Sequence, residues 1–309
     1  MNKIIKIIII LIAVSVSPIL MSGQTDIQSS LHMFSRTTYN PAVTGASRYV
    51  NIYGHWRDQW QGFTGAPQTM YFGANSYFNE IKSGMGLVAI KDKIGFENNM
   101  IFKVSYAYHI SLSSNSYISL GLSGGVLNRN IDWTKQQIAE PDSNLPAEQE
   151  NKWNADFDFG VEYNMERFTL GLSITHLNRS ASKSVYSNMG HHFYGYIKYK
   201  FALGVDYELV PSLFMQNNRK STHVESNLLL YYRNRAWVGA SYRMDDKFNS
   251  ESVVGMVGID LMNSLRISYS FDYNIGKIGK YANNTHEIML GIRLNRPQKM
   301  YSKSPRFFE

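Results

Sequence analysis

The chain has no cysteine in 309 residues, which excludes disulfide scaffolds, cysteine-ligated zinc or iron–sulfur centres, lipid-modified cysteines and thiol catalysis. Charge is scarce. Asp, Glu, Lys and Arg make up 18% of the sequence, against about a quarter in an ordinary soluble domain, which argues against a helix-rich cytosolic enzyme. Long apolar runs are also missing: the one at Ile7–Val16 falls well short of the roughly 20 residues that a spanning helix needs. A mean hydropathy of -0.28 argues against a helical membrane bundle. The net charge of +7 is dispersed along the chain, so no basic patch points to a nucleic-acid partner. Aromatic residues, in contrast, are plentiful, with 21 Tyr and 16 Phe.

The start of the chain reads as an address. Lys3 and Lys6 precede the apolar run Ile7–Val16, then comes Pro18, and the small residues Ser22 and Gly23 stand before Gln24. This is the layout of a secretory signal peptide over residues 1–23, with a mature chain beginning near Gln24. A membrane anchor is the alternative reading of the same run.

Downstream the sequence has a period of two. Leu265, Ile267, Tyr269, Phe271, Tyr273 and Ile275 alternate with Arg266, Ser268, Ser270, Asp272 and Asn274, and Phe102, Val104, Tyr106 and Tyr108 with Lys103, Ser105, Ala107 and His109. A strand whose two faces meet different media produces this pattern. Fourteen such strands, within a range of 12 to 16, are expected near 49–57, 67–78, 84–94, 98–111, 116–128, 153–163, 166–178, 190–201, 203–216, 222–233, 235–244, 251–262, 264–275 and 285–295. Short hairpins such as Met262–Ser264 alternate with longer stretches such as 131–152, the asymmetry of an outer-membrane barrel. Aromatics near strand ends, including Tyr53, Trp56, Trp153 and Phe201, suit interfacial girdles. The expected fold is therefore all-β, a transmembrane antiparallel β-barrel with its apolar parity toward lipid. Arg substitutions at Ser268 or Ser270, on the other parity, should be tolerated. A secreted β-sandwich or propeller also alternates, but with shorter strands.

Few residues suggest chemistry. Adjacent His191 and His192 point to opposite faces of a strand, and His286-Glu287 has no ligand spacing. Asp156 and Asp158 share a face and read as a solvated pair on the lumen wall, with cation binding as the alternative. There is no nucleophile elbow, P-loop, dinucleotide fingerprint or His-Glu-x-x-His. No catalytic residue, metal or cofactor is expected, and the chain does not read as an enzyme.

Residues 38–69 carry the most specific signal. Asn40-Pro41-Ala42 with Gly45, then Arg57-x-Gln59-Trp60, then Gly62 with Gly65-Ala66-Pro67 and Thr69, resemble the N-terminal signature of the PorP/SprF family of Bacteroidota outer-membrane proteins. Val210-Pro211-Ser212, His286 to Gly291 and Ser304 to Phe308 resemble later family segments in the same order. One departure is that no cysteine precedes Lys303. Physically, Asn40 before Pro41 favours a turn, and Gly45, Gly62 and Gly65 permit positive φ. Trp56 and Trp60, four apart, would share one strand face as an interfacial anchor, and Arg57 and Gln59 the other. Residues 24–48 either plug the barrel of residues 49–295 or form a docking surface for a partner, and the two readings are compatible.

The resemblance implies a non-enzymatic component of, or accessory to, the type IX secretion and gliding machinery in the outer membrane. It implies help in exporting or anchoring large adhesins with a type-B C-terminal domain. The implied partners are outer-membrane lipid, such a client and periplasmic components of the machinery. Asn40, Pro41, Gly45, Arg57, Gln59, Trp60, Gly62, Gly65 and Pro67 are the candidate plug or partner contacts, with Arg306, Phe307 and Phe308 in a periplasmic tail over 296–309. A passive pore or small-solute transporter is the alternative.

Overall fold

The computed structural model describes residues 26–133, 149–178, 190–218, 221–262, 264–276, 279 and 283–294. The signal-peptide region and the tail with Arg306, Phe307 and Phe308 lie outside the described residues. Alternating apolar and polar side chains become strands because each strand sends successive residues to opposite faces. The strands are β1 (Val50–Asp58), β2 (Gln68–Phe78), β3 (Ser83–Ile94), β4 (Glu97–Ser113), β5 (Ser116–Ile131), β6 (Glu150–Met165) and β7 (Phe168–Thr175). They continue as β8 (His192–Tyr199, prolonged by Phe201–Leu203), β9 (Tyr207–Asn217), β10 (Thr222–Tyr232) and β11 (Ala236–Asp245). The last are β12 (Ser250–Leu261), β13 (Leu265–Asn274) and β14 (Thr285–Leu294).

Each strand pairs antiparallel with its chain neighbours, and β14 closes on β1 from Val50↔Leu294 to Asp58↔His286. The result is a closed 14-stranded barrel. Closure pairs every strand edge, the condition for a sheet to survive in lipid. Among the described residues no helix is long and apolar enough to cross a membrane.

One boundary differs from the sequence reading. Phe201–Leu203 continues the line of β8, in register with Leu209 to Tyr207, and the hairpin falls at residues 204–206 instead of near 202. Gly204 takes φ +73 there. The apolar parity runs unbroken through Phe201, Leu203, Val205 and Tyr207, so alternation carried no mark of the turn.

The barrel is apolar outside and polar inside. Val104 is 68% exposed and sits beside Lys103 at 8%. On β13, Leu265, Ile267, Tyr269 and Tyr273 are exposed, whereas Ser268, Ser270 and Asp272 are buried. The apolar parity thus faces outward, as expected. At the end where β1 starts and β14 finishes, the connections run from two residues to four. At the opposite end lie the longer stretches 59–67, 132–149, 176–191 and 275–284. Short turns mark the periplasmic side of such barrels, so the long-loop end is the outer one.

Candidate functional site: a segment held inside the barrel wall

Residues 26–49 precede β1 and make three short 3-10 turns, His32–Phe34, Arg36–Thr38 and Pro41–Val43. Ser30, Leu31, Asn40, Ala42 and Thr44 are fully buried, and their partners are inward-facing residues of the strands. The segment is held at two places by different means.

Toward the outer end the hold is ionic. Arg57 on β1 is 1% exposed. It donates from Nη2 to Asp272 (2.8 Å) and from Nη1 to Glu287 (3.0 Å) and Ser30 Oγ (3.1 Å). Arg243 donates to Glu225 at 2.6 Å and to the same Ser30 oxygen at 3.1 Å. Ser30 Oγ donates to Asp272 at 2.8 Å, and its backbone N–H donates to Glu287 at 2.7 Å. One hydroxyl therefore uses its donor and both lone pairs. Around it, His32 approaches Glu225 at 3.3 Å and His55 approaches Glu287 at 3.1 Å. Two guanidinium groups and three carboxylates meet across β1, β10, β11, β13 and β14, and Ser30 and His32 of the segment complete the set.

Further along, the hold is steric. Asn40 caps the Pro41–Val43 turn by accepting from Ala42 N–H (3.0 Å), and it donates to Tyr196 Oη at 3.1 Å. The turn lies directly on the backbone of the wall. A Cβ on Gly121 would come within 2.2 Å of Ala42 N, one on Gly160 within 2.0 Å of Asn40 Oδ1, and one on Gly84 within 1.9 Å of Thr44 O. Gly45 follows at φ +76 and donates to Asn75 at 3.2 Å. His109 donates to Thr44 O at 2.9 Å, and Ser173 to Tyr39 O at 2.6 Å. Beside this seat Arg36 pairs with Glu162, and its guanidinium lies over the Tyr196 ring at 5.4 Å. Burial alone would depress the Arg36 guanidinium, but the Glu162 carboxylate reverses this and raises it. Burial raises the Tyr39 hydroxyl, against the opposing charge of Arg36.

A model of the type IX secretion system membrane protein PorP/SprF matches residues 21–292. The chain belongs to the PorP/SprF family. It is accordingly an outer-membrane protein and a type IX secretion component. No curated protein matches the chain in sequence. Among solved structures, the outer membrane protein Omp33 of Acinetobacter baumannii is similar at 11% identity and TM-score 0.50, over 80% of this chain and 98% of that one. The Ralstonia pickettii toluene transporter TbuX is similar at 10% identity and TM-score 0.50, over 84% and 93%. At these identities the likeness concerns the barrel alone.

In this PorP/SprF barrel the signature motif divides. Asn40, Pro41 and Gly45 build the seat, and Arg57 anchors the ionic hold. Gln59, Trp60, Gly62, Gly65 and Pro67 are elsewhere, in the outer connection between β1 and β2. There Gln59 N–H donates to Pro67 O at 3.0 Å, Trp60 N–H donates to Thr285 Oγ1 at 3.2 Å, and Gly95 N–H donates to Gly65 O at 2.9 Å. The expected face sharing of Trp56 with Trp60, and of Arg57 with Gln59, does not occur. β1 ends at Asp58 and Trp60 takes φ +55, so strand parity no longer governs either side chain. Gly62 and Gly65 do adopt positive φ, +83 and +79.

Two readings of the lumen wall also change. Asp156 and Asp158 are buried, each 2.8 Å from Lys103 Nζ, with His176 Nδ1 at 2.9 Å from Asp156. They are paired groups and not a solvated patch. Ser268 and Ser270 are 1% and 0% exposed, so an Arg there has no water to enter and should destabilise the barrel, against the tolerance expected from the sequence.

Residues not singled out in the sequence are prominent, among them Asp272, Glu225, Arg243, Glu162, Tyr196, Asp26 and His176, and so are Glu287 and His192, which the sequence showed only as pairs without ligand spacing. A usable signal existed for some of them, because Asp272, Glu287, Glu225 and Arg243 all fall on the inward parity of their strands. At the start of the described segment, Tyr194 Oη donates to Asp26 Oδ2 at 2.5 Å, and Asp26 N–H donates to His192 Nε2 at 3.0 Å. Burial would raise the Asp26 carboxyl, but the hydrogen bond and charge of His176, with His192 and Tyr194, hold it well below the usual range. For His176, burial and the Lys103 charge push down, and Asp156 with Asp26 push harder upward, to about 9.

Proposed function

We propose that this chain is a non-enzymatic outer-membrane part of the type IX machinery that helps export or surface-anchor large adhesins with a type-B C-terminal domain. It contacts periplasmic components of that machinery from its short-turn end. The observation that carries this reading is the segment 26–49 across the barrel interior. A barrel whose interior holds a segment secured by a buried ionic network on one side and a close-contact seat on the other is poorly suited to conduct solutes. On the periplasmic side the interior opens into a vestibule of about 790 Å³, lined by Met33 and Phe34 of the segment and by Lys198, Tyr231, Arg266 and Arg293 of the wall. A cavity in this size range takes ligands or side chains, and here its floor is the segment itself. A partner bound in the vestibule would touch the plug directly. The tail over 296–309 is the second candidate docking element.

The passive pore is the competing reading. In planar bilayers the purified protein should give no steady single-channel current, and in the producing cell its deletion should abolish surface display of the client adhesin. Arg57→Ala, with barrel levels unchanged, should reduce display and weaken pull-down of the periplasmic partner. Steady currents from the native protein with normal adhesin display after deletion would replace the proposed role with that of a pore.

A further inference from the structure

Asp26, His176 and His192 come from three separate places. Asp26 begins the described segment, His176 directly follows β7, and His192 opens β8. One ligand atom from each lies within 4.8 Å of the others. All three sit at the outer end, where β7 finishes and β8 begins.

The ion pair between His176 and Asp26 is a long one. His176 Nε2 is 3.4 Å from Asp26 Oδ2, whereas a charge-assisted N–H···O bond closes to about 2.7–2.9 Å. Nε2 is buried, and Asp26 is its one polar neighbour named among the described residues, at a distance too long for a well-formed hydrogen bond. Two ligands about 2.1 Å from a tetrahedral metal ion stand about 3.4 Å apart. The other ring nitrogen, Nδ1, is already held by Asp156 at 2.9 Å. A carboxylate behind a histidine, fixing its tautomer and aiming Nε2, is the usual support of a ligating imidazole. Charge points the same way. Among the described residues, Asp26, Asp156 and Asp158 face the Lys103 ammonium and the His176 imidazole, so a divalent cation that displaces the His176 proton keeps the cluster compensated.

We propose that Asp26 Oδ2, His176 Nε2 and His192 Nε2 bind a divalent transition-metal ion of the zinc class, with water in a fourth position. His192 Nε2 gives up the Asp26 N–H to do so. The ion joins the start of the inner segment to the outer mouth of the barrel, where neither the ionic hold nor the glycine seat reaches.

The test uses the full-length protein extracted from outer membranes in detergent, stripped with chelator and titrated with zinc chloride. Calorimetry should show one saturable zinc per chain, with affinity falling at least tenfold in both Asp26→Asn and His192→Ala. Zinc should also slow hydrogen exchange in peptides covering residues 26–35 of the native protein and leave Asp26→Asn unchanged. Asp26→Asn lies outside the strands, so the barrel's heat-modifiable migration verifies that it still folds. Absence of saturable binding, or equal binding in native protein and both variants, overturns the site. In that case a protonated His176 between Asp26 and Asp156 holds the segment alone, and exchange is indifferent to zinc.

Discussion

The two ends of the inner segment are fastened by opposite physics. At Ser30 the wall offers full charges, and stability depends on every member being present: a guanidinium stripped of water is costly unless its donors are used. At Pro41–Ala42 the wall offers almost no side chain. Gly84 and Gly121 leave room for backbone to lie on backbone, Gly160 makes room for the Asn40 side chain, and fixation comes from shape with a few hydrogen bonds. The first arrangement fails when a group is removed, the second when one is added.

That contrast orders the expected effects. Arg57→Ala should be the largest, at about 3–5 kcal/mol, because it leaves only His55 to balance the buried Glu287 and only the longer Arg243 contact at 3.5 Å to balance Asp272. Denaturant midpoints of the detergent-solubilised barrel measure it, and a loss below 1 kcal/mol would mean the carboxylates find water. Tyr269→Arg, on the outward face of β13, should cost about 2–4 kcal/mol near the membrane midplane. The outward parity is thereby compared with the inward one, since Ser268→Arg should also destabilise but by crowding the filled interior. If lipid-vesicle folding titrations find Tyr269→Arg neutral, that residue lies at an interface instead of at depth.

Gly121→Val should cost about 1–3 kcal/mol through overpacking and should loosen residues 40–45 with the ionic hold intact. Hydrogen exchange at Ala42 against that at Ser30 separates the two fastenings, and equal loosening at both would show that they act as one unit. Asn40→Ala, which removes a cap, should be the smallest at about 1 kcal/mol. A loss several times larger would assign most of its contribution to the Tyr196 contact.

Much of the architecture was legible because alternation is local. Leu265 through Ile275 announce a two-faced strand without reference to any neighbour, and the fourteen expected strands match those found. The β8–β9 turn was not legible because apolar parity continues through Val205. Trp60 was misassigned because a backbone entering positive φ leaves no trace in side-chain pattern. The candidate site was legible only by residue. Asn40, Pro41, Gly45 and Arg57 stood out in the signature, yet nothing in their spacing indicates that Asn40 caps a turn resting on Gly160 or that Arg57 meets Asp272.

By itself, then, the sequence determined the strands, their lipid-facing parity and the family, since each rests on short-range periodicity or a contiguous motif. Tertiary structure alone decided whether the inward parity meets water or protein. Ser268, Asp156 and Asp158 look like a wet wall in one dimension. They are dry because groups distant in the chain fill the space that barrel closure encloses: Lys103 lies against Asp156 and Asp158, and the inner segment meets Asp272 on the strand of Ser268.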